Sequence, residues 1–308
     1  MFSVVIPLYN KEAFISTTIR SVLDQSFQDF ELLVIDDGST DDSHKIVQEF
    51  NDSRIRLKSI KNSGVSVARN FGVEKSKYDW IAFLDADDYW TSGFLETLWS
   101  AIQDHPDNKL FATGRSRIFK SDSERYQHEF LPPDGDVAVL NYFQTISKYL
   151  PLINSSNVVV DKGHYLAEGG FNAGMKRHED HDLWIRLAKH EPVVFINKDL
   201  SRYRKTETGT GSGEIFRAGD FINYIQTIKK VKNQLSEEEQ LNFKKYYDRF
   251  SLISYIQNCA VYTGKENNSV YEELSGLLEG AALKRLKWIH RIPIKKLYPV
   301  YKKLKKGK

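Results

Sequence analysis

The sequence predicts an α/β protein with a mostly parallel sheet, helices on both its faces, and a helical C-terminal region. Two observations predict it. Short β-rich runs alternate with amphipathic stretches of about three turns, a pattern that builds β-α-β units. From about Glu214 onward the pattern is helical, and Ser236 with Glu239 has the spacing of a capping box.

FSVVIPLY reads as the first strand, and NKEAFISTTIRSVLDQS follows with Phe14, Ile15, Ile19, Val22 and Leu23 at helical spacing. FELLVID is a second strand, TDDSHKIVQEF a capped helix, and RIRLKSI a third strand. GVSVARNFGVEKSK is helical and YDWIAFL is a fourth strand. Later, SSNVVVDK and VVFIN read as strands flanking a helix in EDHDLWIRLAKH. KTETGTGSGE (205–214) has no apolar anchor and reads as a linker or lid. This divides the chain into an α/β domain over 1–205 and a helical region over 206–308, ending in a basic amphipathic tail from about 284.

With 41% apolar and 28% charged residues, the 308-residue chain has material for a large core and a soluble surface. Cys259 is the lone cysteine, which excludes an internal disulfide and fits a reducing compartment. Residues 1–10 lack a basic n-region and a long apolar stretch, and no apolar run approaches the ~20 residues of a membrane span. A cytoplasmic location is therefore expected. After Glu279 come eleven Lys and Arg and no acid, although the whole chain is only +3. An acidic body with a basic tail suggests a tail that meets an anionic surface.

In a parallel sheet, ligands bind beyond the carboxyl ends of the strands. Those ends carry Pro7-Leu8-Tyr9, Asp36-Asp37-Gly38-Ser39, Lys61-Asn62-Ser63-Gly64, and FLDADDYW with Asp85, Asp87 and Asp88. Nothing basic follows these three acids in sequence. A dehalogenase-type phosphatase would need Thr or Val where Tyr89 stands. A calcium loop would need Gly where Trp90 stands. A divalent-cation site for a nucleoside diphosphate meets no such mismatch, because hard carboxylate oxygens suit Mn2+ or Mg2+.

VVIPLYNKE, SVLDQSFQDFELLVIDDGSTDDS, SGVSVARNFG and FLDADDYW, followed by GGF (169–171) and HEDHDLWIRLA (178–188), resemble in order and spacing the family-2 inverting glycosyltransferases of the GT-A fold. The resemblance covers roughly residues 2–205. It implies that Pro7, Tyr9 and Asp37 hold the donor's base, with the ring as a stacking face and the carboxylate accepting an imide N–H. That favours a uridine donor. It also implies donor contacts from Gly64, Asp85 and Arg204, and a Mn2+ or Mg2+ ion on Asp87 supported by Asp85, with Asp88 behind them.

An inverting transfer needs one base for the acceptor hydroxyl, and the resemblance assigns it to Asp180, with Glu179 orienting the site or binding acceptor. Acids at a helix N-terminus have a structural explanation too. A zinc-protease reading fails, since His178 and His181 are three apart rather than four. The chain departs from many relatives in lacking a His after Tyr203-Arg204, so a third metal ligand is not implied. The GTGSG run (209–213) lacks dinucleotide-fingerprint spacing and reads as a loop closing over donor.

The tail interleaves basic residues with Trp288, Tyr298 and Tyr301. A membrane surface suits it better than nucleic acid, because no nucleic-acid module accompanies it. The expected partners are thus a nucleotide-sugar donor, a saccharide or lipid-linked saccharide acceptor in surface polysaccharide or lipopolysaccharide synthesis, and the inner membrane face. Two alternatives stand beside this reading. A sugar-phosphate nucleotidyltransferase would want a Gly-rich loop where PLYNKEAF stands. A non-catalytic nucleotide- or carbohydrate-binding relative would not need both Asp87 and Asp180.

Overall fold

The computed structural model describes residues 1–119, 122–205 and 217–292. Among the described residues there are ten strands: β1 Phe2–Leu8, β2 Phe30–Asp36, β3 Ile55–Ser59, β4 Trp80–Phe83, β5 Tyr89–Trp90, β6 Leu110–Ile118, β7 Ser123–Arg125, β8 Val137–Leu140, β9 Val158–Asp161 and β10 Val193–Arg204. Seven helices accompany them: α1 Ile15–Leu23, α2 Ser43–Gln48, α3 Val65–Lys75, α4 Phe94–Asp104, α5 Tyr142–Lys148, α6 Lys162–Ala167 and α7 Glu179–Ala188. Four more follow, α8 Ala218–Lys232, α9 Glu237–Asn258, α10 Gly264–Ser275 and α11 Gly280–Arg291.

One sheet runs β3-β2-β1-β4-β9-β6-β10-β5, with β7 beside β6 and β8 beside β10. Its first four strands are parallel, as the sequence predicts, with Phe2 opposite Phe30 and Leu8 opposite Asp36. The remainder is mixed. β9 is antiparallel to both β4 and β6, whereas β10 returns parallel to β6. The alternation of strand and helix stops after α4, and with it the force that keeps neighbours parallel.

β1 shows why the parallel half reads as one apolar run. Val4, Ile6 and Leu8 face the core under α1 and α4, while Val5 faces the core under α3, so both sides are buried. α3 lies close on β1. A Cβ on Gly72 would come 2.4 Å from Val5 Cγ1, so the glycine permits this approach. α3 thereby brings Arg69, one turn earlier, beneath the carboxyl ends of the strands.

The start of α2 differs from the expected cap. Asp42 makes no side-chain cap; Asp41 accepts from the N–H of Ser43 and of Glu12, and Glu12 accepts from the N–H of Asp42. Ser236 and Glu239 do form their capping box, and Thr263 with Glu266 forms a second. An apolar cluster runs from Val5 and Phe83 through Trp184 to Phe243 and Leu274, so α8–α11 share a core with one face of the sheet. On α11, Ala282, Leu286 and Ile289 turn inward, while Lys284, Arg285, Lys287 and Trp288 are exposed. The GTGSG run and the tail beyond Ile292 lie outside the described residues.

Candidate active site

Two clefts open side by side at the carboxyl edge of the sheet. The first, of about 600 Å³, is lined by Pro7, Tyr9, Asp37, Gly64, Asp85 and Asp87. The second, of about 410 Å³, holds Glu179 and Asp180. Val65, Arg69, Asp85, Lys176 and Tyr203 line both and form a common wall.

In the first cleft Tyr9 is 46% exposed, so it is not a core aromatic; its ring is open to a ligand. Asp37 is buried, and its two oxygens accept from the N–H of Ser63 (2.7 Å) and Gly64 (2.8 Å). It fixes the loop that enters α3. Gly64 stands there at φ +96°, a conformation that favours glycine.

The three acids of DADD occupy three environments. Asp85 Oδ1 pairs with Arg69 at 2.6 Å, and Asp87 Oδ2 with Lys11 Nζ at 2.7 Å. Their cations come from the loop after β1 and from α3, not from the residues that follow in sequence. Asp88 is fully buried, accepting from Ser156 Oγ at 2.5 Å and from the Arg204 N–H at 2.8 Å. Burial and the charges of Asp85 and Asp87 raise its carboxyl well above the usual range, beyond what Ser156 and Arg204 offset. Asp88 therefore ties the end of β4 to β10 and stands behind the cleft.

The second cleft is built on the start of α7. His178 takes a left-handed backbone (φ 57°) before the helix, a strained conformation for a residue with a side chain. Asp180 Oδ1 accepts from the His181 N–H at 2.8 Å. Burial opposes its ionisation, but the charges of His181 and His178, that N–H and Arg69 outweigh it, and Asp180 ionises below the usual carboxylate range. His178 helps only where it is protonated, since burial and the charge of His181 push its own imidazole down to about 3. Burial and the adjacent Asp180 push Glu179 up to about 7, against the pull of Arg69 at 3.3 Å. Asp182 takes no part, being buried against Arg186 and Thr227.

Arg69 joins the two clefts. It is 3% exposed, lies over the Phe171 ring at 4.7 Å, and bridges Asp85 to Glu179. Sequence reading passed over it because SGVSVARNFG, although one of the segments that carry the family resemblance, does not show which carboxylates its arginine reaches. Lys11 and Tyr203 lie in segments the sequence singles out, VVIPLYNKE and the Tyr203-Arg204 pair, and Lys176 in none, but no local pattern shows that these side chains reach the clefts. Arg204, by contrast, lines neither cleft. Its guanidinium lies between the Phe14 and Tyr89 rings, at 5.2 and 5.0 Å from their centroids, and Tyr203 takes the wall position. Strand alternation explains the exchange, because adjacent residues of β10 face opposite sides.

Asp85 and Asp87 each keep one carboxylate oxygen outside their ion pairs with Arg69 and Lys11, hard donors of the kind and number with which proteins hold Mg2+ or Mn2+ when substrate phosphates complete the shell. Among the described residues there is no cluster of three or more His, Cys, Asp or Glu that would hold an ion without such help. The residues fit an ion bound together with a diphosphate.

Two clefts thus lie side by side at the carboxyl edge of an α/β sheet, one lined by Asp37, Asp85 and Asp87 with Lys11, Arg69 and Lys176, the other holding the carboxylate pair Glu179 and Asp180. The chain belongs to glycosyl transferase family 2, whose profile matches residues 3–184. It is 31% identical over 217 residues to UDP-Glc:alpha-D-GlcNAc-diphosphoundecaprenol beta-1,3-glucosyltransferase WfgD of Escherichia coli, covering 70% of this chain and 81% of that one. An uncharacterized glycosyltransferase of Rickettsia bellii is 32% identical over 204 residues, covering 66% of this chain and 28% of that protein. The chain spans less than half the length of that protein and of two further curated relatives. In fold it is similar to S. aureus TarS residues 1–349, solved in complex with UDP-GlcNAc, with a TM-score of 0.72 at 17% identity over 94% of this chain and 83% of that one. The architecture is that of the GT-A glycosyltransferases. Among the described residues no helix is long and apolar enough to cross a membrane.

Proposed function

We propose that this chain is a metal-dependent inverting glycosyltransferase that moves a sugar from a UDP-sugar to a saccharide or lipid-linked saccharide acceptor in surface polysaccharide synthesis. The observation that carries the reading is the shared wall. Arg69 and Asp85 belong to both clefts, so a donor lying along Asp37, Asp85 and Asp87 presents its sugar toward Glu179 and Asp180. The relatives point the same way: WfgD is named for a UDP-glucose donor and a diphosphoundecaprenol-linked acceptor, and TarS was solved with UDP-GlcNAc.

Tyr9 stacks on the base, and Asp37 retains lone pairs for its imide N–H. Asp87 and Asp85 would hold Mn2+ or Mg2+, which supplies Lewis-acid stabilisation of the departing diphosphate. Asp180 takes the acceptor's proton as that hydroxyl oxygen bonds to the anomeric carbon. The bond from that carbon to the diphosphate oxygen breaks, and the electron pair leaves with the nucleotide. Asp180 is ionised at neutral pH, as a base must be, and no covalent nucleophile is needed.

A thermal-shift panel of UDP, GDP, dTDP and CDP, each with and without Mn2+, tests this. The expected result is a shift for UDP that requires the metal and is lost in Asp87→Asn. A UDP shift indifferent to metal would overturn metal dependence, and no shift for any nucleotide would overturn the donor assignment.

The exposed basic face of α11 supports contact with an anionic membrane, to which each Lys or Arg near the surface contributes up to ~1 kcal/mol. Leu286 and Ile289 are core residues, so charge reversal is a cleaner probe than truncation. Lys284→Glu with Lys287→Glu should weaken binding to phosphatidylserine vesicles several-fold. Unchanged co-sedimentation would remove the membrane role of this helix.

A further inference from the structure

Beyond Asp180 the second cleft changes sign. Its wall carries Arg115, Arg117, Lys176 and Arg177. Its three acids, Asp85, Glu179 and Asp180, are outnumbered by these four cations together with Arg69, which bridges Asp85 and Glu179.

Arg115 is the informative member. It is 6% exposed, and its guanidinium lies over the Tyr126 ring at 4.3 Å. Its NH1 donates to the carbonyl oxygen of Leu152 and its NH2 to that of Pro151, both neutral acceptors. No carboxylate forms an ion pair with it among the described residues. Burial, with the charge of Arg117 adding to it, lowers its pKa to about 10. A buried guanidinium without a counter-charge is unfavourable until an anion completes it. Arg117, two residues along β6, lies on the same face nearer solvent, where its only ion pair among the described residues is a long, exposed one to Glu124 at 4.0 Å. The donor's diphosphate does not account for this group, because Arg115, Arg117 and Arg177 do not line the donor cleft. A neutral sugar hydroxyl has no need of such a field.

We propose that the acceptor bears a phosphate group close to its reacting hydroxyl, and that Arg115, Arg117, Lys176 and Arg177 hold this phosphate at the mouth of the Asp180 cleft. The inference rests on the glycosyltransferase reading above and names its acceptor class, a phosphate-bearing saccharide. The phosphate has two possible sources, a prenyl diphosphate anchor or a phosphodiester polymer. Both present non-bridging oxygens that suit the planar guanidinium fork.

The test is isothermal titration of the full chain saturated with UDP and Mg2+, so that the donor cleft is filled. The probes are geranyl diphosphate and bis(glycerol) phosphate, with geraniol and glycerol as uncharged controls. At least one phosphate probe should bind tenfold or more tightly than its control, and the affinity should fall with added salt. Tighter binding of geranyl diphosphate indicates the lipid anchor, and tighter binding of the diester indicates the polymer. Arg117→Glu should reduce that binding at least tenfold, and Arg117→Gln less, with UDP affinity within twofold of the parent. The UDP titration also reports that each variant is folded. Equal or undetectable binding of probes and controls overturns the proposal, as does an unchanged preference in Arg117→Glu. If the parent chain binds no UDP, the donor reading itself fails and this inference falls with it.

Discussion

The proposed donor cleft and the proposed acceptor cleft are adjacent, yet they are assembled in opposite ways. The donor cleft gathers residues just beyond four parallel strands, at Tyr9, Asp37, Gly64 and Asp87, with each segment spaced along the chain by one β-α unit. The acceptor cleft gathers pieces from β6, the loop before β9, the start of α7 and the end of β10, where the sheet is mixed. The difference teaches that a cleft on the regular half of an α/β sheet follows from element order, whereas one on the irregular half depends on tertiary packing. Arg69 is where the two meet.

The comparison predicts separable defects, and the largest comes from Asp180. Asp180→Asn should lower transfer by roughly 10²–10⁴-fold, the range of general-base catalysis, while UDP binding stays within twofold. The matching change on the other side, Asp87→Asn, should remove the metal dependence of UDP binding and lower transfer by no more than Asp180→Asn does. If Asp180→Asn impaired UDP binding equally, the two clefts would not be functionally distinct.

A smaller but broader effect is expected from Arg69→Met. Removing the guanidinium leaves Asp85 and Glu179 without their partner, and breaking a buried pair costs roughly 3–5 kcal/mol. With Asp85 about 30% exposed, the lower end of that range applies. Urea denaturation should show the loss, and both UDP affinity and turnover should fall. A variant damaged in only one of these would show that Arg69 serves one cleft and not both.

The smallest effect concerns Glu179, whose carboxyl titrates near 7 because of burial and Asp180. As pH rises through 7 it gains a negative charge beside Asp180, which makes Asp180 a stronger base. The transfer rate should therefore climb a few-fold across that interval, and Glu179→Gln should flatten the climb without abolishing activity. A wild-type profile flat between pH 6 and 8 would count against this coupling.

Much of the donor cleft was legible in the sequence, for a physical reason. A strand buried on both faces must be apolar, so the polar residues that end it stand out, as Asp36-Asp37 and Asp85 to Asp88 do. Asp180 was legible through the order of motifs around it. Lys11 was not, because a lysine in a loop carries no signal of the carboxylate it will reach. Nor was the exclusion of Arg204, since a side chain's facing depends on the register of β10, which is shifted between Ile196 and Ser201.

The sequence by itself determined the parallel half of the sheet, the acidic edge and the helical C-terminal region, because periodicity and apolar runs are local properties of the chain. Only the tertiary structure decided that the acids of DADD divide among Arg69, Lys11 and a buried pocket, that the later strands run in both directions, and that five Arg and Lys side chains line the Asp180 cleft. Hydrogen bonds join residues as far as 116 positions apart, as the Arg204 N–H and the Asp88 carboxylate are, and no local pattern records such distances.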